Sequence, residues 1–266
     1  MSEQSGEMVE SRRDDEWRLD VERGRELLHA ARRVVVMTGA GISAESGVPT
    51  FRGPDGFWRH HRPEDLATPE AFARDPRLVW EWYAWRRDRI NQCRPNAAHL
   101  ALARLARERD GVRIITQNVD GLHTAAAYAV GGKDMLEPAL PLELHGSIFR
   151  VRCTACEDRY EHRDPIDTGT AEALPRCRRC DSLLRPDVAW FGEPLDFARL
   201  EEASRIAATA DLCLVIGTSA QVQPAASLPR RTRECGGKII EVNLEPTPLS
   251  DAADVSIRAR AAAAIP

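Results

Sequence analysis

One stretch near the start of the chain limits the possible folds more than any other. Val34-Val35-Val36-Met37 is a β-branched apolar run that ends at Thr38 and leads straight into Gly39-Ala40-Gly41-Ile42-Ser43-Ala44. A short run with no polar alternation predicts a strand buried on both faces, as in parallel sheets covered by helices. The Gly-x-Gly-x-x-Ala that follows fits a permitted form of the dinucleotide fingerprint. In that reading Gly39 allows a tight turn, Gly41 lets backbone amides approach a pyrophosphate, and Ala44 lets the helix pack closely on the strand. Alone, the motif is weak.

The rest of the chain repeats the theme. Val112 to Thr116, Leu212 to Gly217, Ile239 to Asn243 and, more weakly, Val255 to Ile257 read as further buried strands. Helical patterns lie around them, from Trp17 to Arg33, Pro76 to Asn91, Ala97 to Arg109, Asp196 to Thr209 and Pro224 to Glu234. Strands alternating with helices predict an open, doubly wound α/β sheet. Residues 1–20 are polar and charged and are expected to form a frayed tail. The alternation breaks between about Arg150 and Pro186, where a small lobe stapled by metal is expected. The expected division is therefore a large domain over 21–149 and 187–266 and a small one over 150–186.

Cysteine usage supports the metal. The seven cysteines are an odd count, which argues against a fully paired disulfide framework. Four fall in two Cys-x-x-Cys pairs, Cys153/Cys156 and Cys177/Cys180, with 20 residues between them. That spacing lets each pair place two thiolates on one tetrahedral zinc; a redox dithiol is the competing reading. Cys93, Cys213 and Cys235 read as small buried hydrophobes.

Composition narrows the partners. With 37 Lys+Arg against 41 Asp+Glu, a net charge of −4 gives no electrostatic case for nucleic acid as a general partner. The apolar runs fall far short of the ~20 residues a membrane span needs. The N-terminus has no apolar core of a secretory signal. A soluble, cytoplasmic protein is expected, acting as a monomer without membrane or dedicated nucleic-acid contacts.

A dinucleotide oxidoreductase would carry an acidic residue about 20 positions past the fingerprint. Here that interval is Pro49 to Trp58, which reads as loop. Two other strand ends, Gly217-Thr218-Ser219 and Asn243-Leu244-Glu245, place polar or glycine-rich groups where open sheets collect ligands, so a shared nucleotide crevice is expected. Thr116-Gln117-Asn118-Val119-Asp120-Gly121-Leu122-His123 also follows a strand and offers two amides and a carboxylate. His145, before Gly146, is a candidate general base because imidazole titrates near neutral pH. His123, His99, His60 and His61 compete with it, and composition does not choose.

Gly39 to Arg52, Thr116 to His123, His145-Gly146, the four paired cysteines, Gly217-Thr218-Ser219 and Asn243 occur in one order. Together they resemble the sirtuin family of NAD-dependent protein lysine deacylases, from about residue 30 onward. The resemblance implies a Rossmann-type large domain and a small zinc-ribbon domain, with NAD and an acyl-lysine protein or peptide meeting in the cleft between them. It implies that Gly39, Ala40, Gly41, Glu45, Phe51, Arg52 and Trp58 lie along NAD toward its phosphates and reacting ribose. Gln117, Asn118, Val119 and Asp120 would line the nicotinamide and ribose pocket. Gly217, Thr218, Ser219, Asn243, Leu244 and Glu245 would hold the adenosine end, with Ala261 near the adenine. In Val188 to Glu193, the residues Val188, Phe191, Gly192 and Glu193 would meet the substrate peptide by strand addition. His145 and Asn118 would be catalytic, with His145 activating a ribose hydroxyl, and the products would be free lysine, nicotinamide and O-acyl-ADP-ribose. Zinc on Cys153, Cys156, Cys177 and Cys180 would be structural, since four thiolates leave no open position.

The acyl group has its own signal. On a helix from Val79 to Ile90, Val79, Tyr83, Arg86 and Ile90 share one stripe. A guanidinium in an apolar stripe either snorkels outward or waits for a carboxylate that it can grip bidentately. Tyr-x-x-Arg at this place resembles the sirtuin subgroup that removes malonyl, succinyl or glutaryl groups, which would prefer dicarboxylic acyl-lysine over acetyl-lysine. The segment between His123 and His145 is longer than the family pattern and lacks the Ala-Gly pair that often follows its Leu-His. Competing readings are a deacetylase or mono-ADP-ribosyltransferase of the same family, an NAD dehydrogenase, and a zinc-ribbon nucleic-acid binder using Arg176, Arg178, Arg179 and Arg185.

Overall fold

A computed structural model describes residues 3–49, 58–131 and 139–266, with side chains from residue 17 onward. The loop expected at Pro49 to Trp58, with Phe51 and Arg52, lies outside the described residues except for its two ends. The first helix, α1, runs from Glu3 to Ala30, so the expected frayed tail is helical from residue 3. Met8 to Arg23 contains no Gly or Pro and is rich in Arg and Glu, both good helix formers, which composition read as tail obscures.

The chain then alternates: β1 (Val34–Thr38), α2 (Ala40–Ala44), α3 (Pro63–Leu66), α4 (Pro69–Arg74), α5 (Pro76–Asn91), α6 (Ala97–Glu108), β2 (Val112–Thr116) and α7 (Leu122–Gly131). There follow β3 (Leu142–Glu143), β4 (Gly146–Cys153), β5 (Arg159–Glu161), β6 (Leu184–Val188), α8 (Phe197–Thr209), β7 (Leu212–Ile216), α9 (Leu228–Glu234), β8 (Lys238–Val242), β9 (Val255–Ile257) and α10 (Ala261–Ala264). Six strands form one parallel sheet in the order β3-β2-β1-β7-β8-β9. The chain leaves β1 toward β2 on one side and later returns to β7 on the other. This is the Rossmann-type order, and its crevice lies where the direction reverses, at the carboxyl ends of β1 and β7.

Alternation within β1 explains why its run is apolar throughout. Val34 and Val36 join a core with Leu102, Ile114, Leu214 and Ile240 on one face, packed by α1, α6 and α10. Val35 and Met37 join Ile115, Ile206, Val215 and Leu228 on the other, packed by α8 and α9. No helix among the described residues is long and apolar enough to cross a membrane.

The small lobe is a three-stranded antiparallel sheet, β5-β4-β6. Its core reaches beyond the expected 150–186, because Leu66, Phe72, Val79, Trp80, Trp82 and Tyr83 of α3 to α5 pack with Ile148, Val151, Leu184 and Trp190. The Trp80 indole donates to the Leu184 carbonyl at 2.9 Å, tying α5 to β6. Asp75 starts α5 by accepting from the Leu78 amide, with Pro76 at the first helical position. Much of the long segment after His123 is helix, α7, while residues 132–138 lie outside the description. Of the cysteines read as buried hydrophobes, Cys213 is buried, but Cys93 is half-buried and Cys235 is exposed at the end of α9.

Candidate active site

The glycines of the fingerprint are required for a different reason from the one read in the sequence. Gly39 is extended, with φ −129°, and makes no left-handed turn. A Cβ on Gly39 would lie 2.7 Å from the Thr218 Cβ, and one on Gly41 would lie 2.7 Å from the Gly217 Cα. The Gly41 amide donates to the Gly217 carbonyl at 2.8 Å, so it is already engaged within the protein. Two glycine loops from β1 and β7 therefore interlock at the switch point. Gly217, with φ +59°, takes the backbone that an L side chain disfavours.

Beneath this junction lies a buried polar cluster. The Ser43 hydroxyl donates to Asp120 at 2.7 Å, while the Asn118 amide donates to Ser43 and to the Gly39 carbonyl, both at 3.1 Å. Asp120 also accepts from the Leu122 amide at 2.9 Å. Burial pushes the Asp120 carboxyl up, opposed by these hydrogen bonds and by the Arg86 cation. Ser43 is the hub, and the sequence reading passed over it as one letter of a glycine motif. Val119 is half-buried beside this cluster, and its carbonyl accepts from the Ile148 amide at 2.9 Å.

His145 stands where the two sheets meet. Its Nδ1 lies 2.9 Å from the Gln117 carbonyl, which can only accept, so Nδ1 carries the proton and Nε2 keeps its lone pair. Burial lowers its pKa, and the Gln117 bond opposes that only in part, so the neutral base is the form present at neutral pH. Gly146 next to it has φ +82°, and a Cβ there would lie 2.1 Å from the Asp187 carbonyl oxygen. His145 and Gly146 line a recess of about 230 Å³ with Val188, Ala189 and Glu193, rimmed by Arg152, Arg159 and Arg199.

The other histidines are placed differently. His123 is buried, with Nε2 at 2.9 Å from the Thr38 hydroxyl, and His99 packs on it at 4.8 Å between ring centres. Burial pushes His99 down to about 4 and holds His123 well below the usual imidazole range. His61 pairs with Trp58 across an antiparallel bridge, and His60 lies in the turn between them with φ +73°.

At the far end of the crevice, the Gln117 amide donates to the Thr218 hydroxyl at 3.1 Å, and the Asn243 amide to the Thr218 carbonyl at 2.9 Å. Ser219 follows Thr218, Leu244 is exposed, and the Glu245 carbonyl accepts from Arg258 at 3.4 Å. Glu45 accepts from the Ala262 amide at 3.0 Å, joining α2 to α10, where Ala261 is buried. Glu241, also overlooked, is a buried carboxylate held by Ser250 at 2.6 Å, by Arg258 at 2.8 Å and by Thr247. Its only sequence signal is a charge inside an apolar run.

Beyond β6, the Ala189 amide donates to the His145 carbonyl at 3.0 Å and the Phe191 amide to the Ala67 carbonyl at 2.9 Å. Phe191 is exposed and Gly192 has φ +85°. The Glu193 carboxylate, expected at the substrate, is engaged by Arg185 at 2.5 and 2.8 Å and by the Trp190 amide at 3.0 Å. On α5, Tyr83 and Arg86 are both buried, at 3% and 5% exposure, so the guanidinium does not snorkel. Arg86 lies 5.4 Å from the Trp82 ring, and the Trp190 indole donates to the Tyr83 oxygen at 2.8 Å.

The four paired cysteines converge, with every Sγ within 4.8 Å of the others. The Cys153–Cys180, Cys156–Cys180 and Cys156–Cys177 separations are 3.4, 3.5 and 3.7 Å. A tetrahedron of ~2.3 Å zinc–sulfur bonds has edges of roughly 3.8 Å. Amides of Ala155, Cys156 and Arg179 point at Cys153 and Cys177 sulfurs, 3.4 Å each, as thiolates bound to a cation require. The cluster fits one structural zinc.

Fold and site define a class, an α/β enzyme that uses a dinucleotide at a Rossmann-type crevice facing a zinc lobe, with a neutral histidine between them. The comparisons give the family. A model described as the Sir2 family matches residues 39–224. The NAD-dependent protein deacylase 2 of Pyrobaculum aerophilum is 50% identical over 243 residues, covering 91% of each chain. A crystal structure of a Sir2 homologue with NAD superposes with a TM-score of 0.81 at 47% identity, covering 92% of this chain and 90% of that one. A Sir2 complex with a p53 peptide and NAD+ has a TM-score of 0.78 at 34% identity, covering 91% of this chain and 94% of that one. The chain belongs to the Sir2 family, the sirtuins.

Proposed function

We propose that this sirtuin is an NAD-dependent protein deacylase that prefers dicarboxylic acyl groups, succinyl or malonyl, over acetyl. The deacylase activity follows from the family and from curated relatives of that name at about half identity. The crevice at β1 and β7, with Gln117, Asn118 and Asp120 on one side and Thr218 and Asn243 on the other, is where NAD would be held. When bound, NAD supplies the ADP-ribose that accepts the acyl group as nicotinamide leaves. His145 would take a proton at Nε2 while Gln117 fixes its tautomer. Val188 to Glu193 would add a strand to the substrate peptide.

The acyl preference rests on one observation. Arg86 is a cation buried to 5% exposure one helical turn from a buried tyrosine hydroxyl. Arginine grips a carboxylate bidentately and a tyrosine hydroxyl can donate to one, so the pair suits an acyl chain that ends in a carboxylate. Hydrogen bonds to charged groups contribute about 1.5–3 kcal/mol, which is roughly tenfold to a hundredfold in the acyl selectivity. The test is NAD-dependent turnover of one peptide carrying acetyl-, succinyl- or malonyl-lysine in parallel, with the wild type and with Arg86→Met. The variant should lose succinyl activity at least tenfold more than acetyl activity. Equal loss of both would refute the preference.

A further inference from the structure

The tyrosine beside Arg86 has its hydroxyl direction set from outside α5. An indole N–H is a donor only, so the 2.8 Å bond between Trp190 Nε1 and the Tyr83 oxygen makes Tyr83 the acceptor. Its own O–H proton must then point away from Trp190, and the phenol can present that proton to another acceptor. Trp190 itself is held on three sides. Phe72 packs at 5.2 Å between ring centres, and the Arg185 guanidinium lies over the indole at 3.3 Å from its centre. Glu193 then locks the unit, gripping Arg185 with both oxygens and accepting the Trp190 backbone amide at 3.0 Å. Arg185 also donates to the Val188 carbonyl at 3.0 Å, so the staple spans the turn of chain that would meet the peptide. The Arg185 Nε is buried with no hydrogen-bond partner among the described residues, a cost consistent with a guanidinium placed for stacking.

We propose that Trp190 is a specificity-positioning residue, whose indole, clamped by the Arg185–Glu193 pair, turns the Tyr83 hydroxyl proton toward the terminal carboxylate of a dicarboxylic acyl-lysine. This rests on the acyl preference stated above, and it adds that the preference is built partly from the zinc-lobe side rather than from α5 alone. Loss of the indole donor leaves the tyrosine free to rotate its proton elsewhere. The consequence belongs to the carboxylate-bearing substrate and not to acetyl-lysine, which offers no acceptor there.

The test is a double-mutant cycle with Trp190→Phe, which keeps an aromatic ring against Phe72, and Tyr83→Phe. The readout is the ratio of KM for succinyl-lysine to KM for acetyl-lysine in one peptide. Trp190→Phe should raise that ratio roughly threefold to tenfold, the range for one hydrogen bond. In the Tyr83→Phe background it should raise the ratio no further. Should W190F fail to fold, Arg185→Lys keeps the charge but removes the plane that stacks on the indole, and it carries the same expectation. If Tyr83→Phe raises the ratio while Trp190→Phe does not, or if the two effects add, the positioning role is overturned and the acyl preference stands. If Tyr83→Phe leaves the ratio unchanged, the positioning role is overturned, while the acyl preference is decided separately by Arg86→Met.

Discussion

His99 lies under the crevice floor, and its burial links the stability of the fold to acid. The imidazole is fully buried, its Nε2 is 3.4 Å from the Ser43 hydroxyl, and burial pushes its pKa from 6.5 to about 4. The unfolded chain takes up this proton near pH 6.5, whereas the folded protein resists it until about 4. Stability from this group is thus intact above pH 6.5 and declines as pH falls from there toward 4. The full interval corresponds to about 3 kcal/mol, of which about 2 kcal/mol is lost by pH 5. The perturbation is His99→Gln, which keeps hydrogen-bonding groups and cannot titrate. Urea unfolding of both proteins at pH 7.5 and pH 5, followed by tryptophan fluorescence, gives the difference in stability at each pH. That difference should move by about 2 kcal/mol in favour of the variant at the lower pH. Asp120 and Glu143, both raised by burial, act with the opposite sign in both proteins and largely cancel. Parallel stability curves for wild type and variant would refute the burial argument.

Further outcomes follow from single contacts. Gly146→Ala places a Cβ 2.1 Å from the Asp187 carbonyl at φ +82°. It should cost about 2 kcal/mol or more in unfolding free energy and lower turnover by shifting His145; wild-type stability would contradict the placement. Metal analysis of the purified protein should find one zinc per chain. Cys177→Ser should lose it and lower the Tm, because the lobe sheet is held at the cysteines as well as by its core.

The main sheet was legible because its strands are continuous apolar runs, and each run marks a strand buried on both faces. Val255 to Ile257 was the faintest and is one of the two edge strands, the other being the two-residue β3. The division of the molecule was harder to read. Trp80, Trp82 and Tyr83 looked like one helix of the large domain, since nothing local shows that their partners are Leu184 and Trp190, a hundred residues on. The need for glycine at positions 39 and 41 was visible, but its reason was not, because the atoms in the way belong to the loop after β7. The same holds for Arg185, which sequence reading grouped with the surface arginines of the lobe, and which is buried over an indole. His145 could not be chosen among five histidines by composition. What distinguishes it in the structure is a carbonyl acceptor on Nδ1 and a place on the recess wall.

The central claim is that a neutral His145, with Nε2 as base, completes acyl transfer at the β1–β7 crevice. Its most direct measurement is NAD-dependent nicotinamide release and deacylation of a succinyl-lysine peptide across pH, with the wild type and with His145→Asn. The account predicts an acid limb below the usual imidazole pKa for the wild type, in line with the lowered value, and a loss of roughly a hundredfold or more in deacylation for the variant. Undiminished deacylation by a folded, zinc-loaded His145→Asn protein would contradict it.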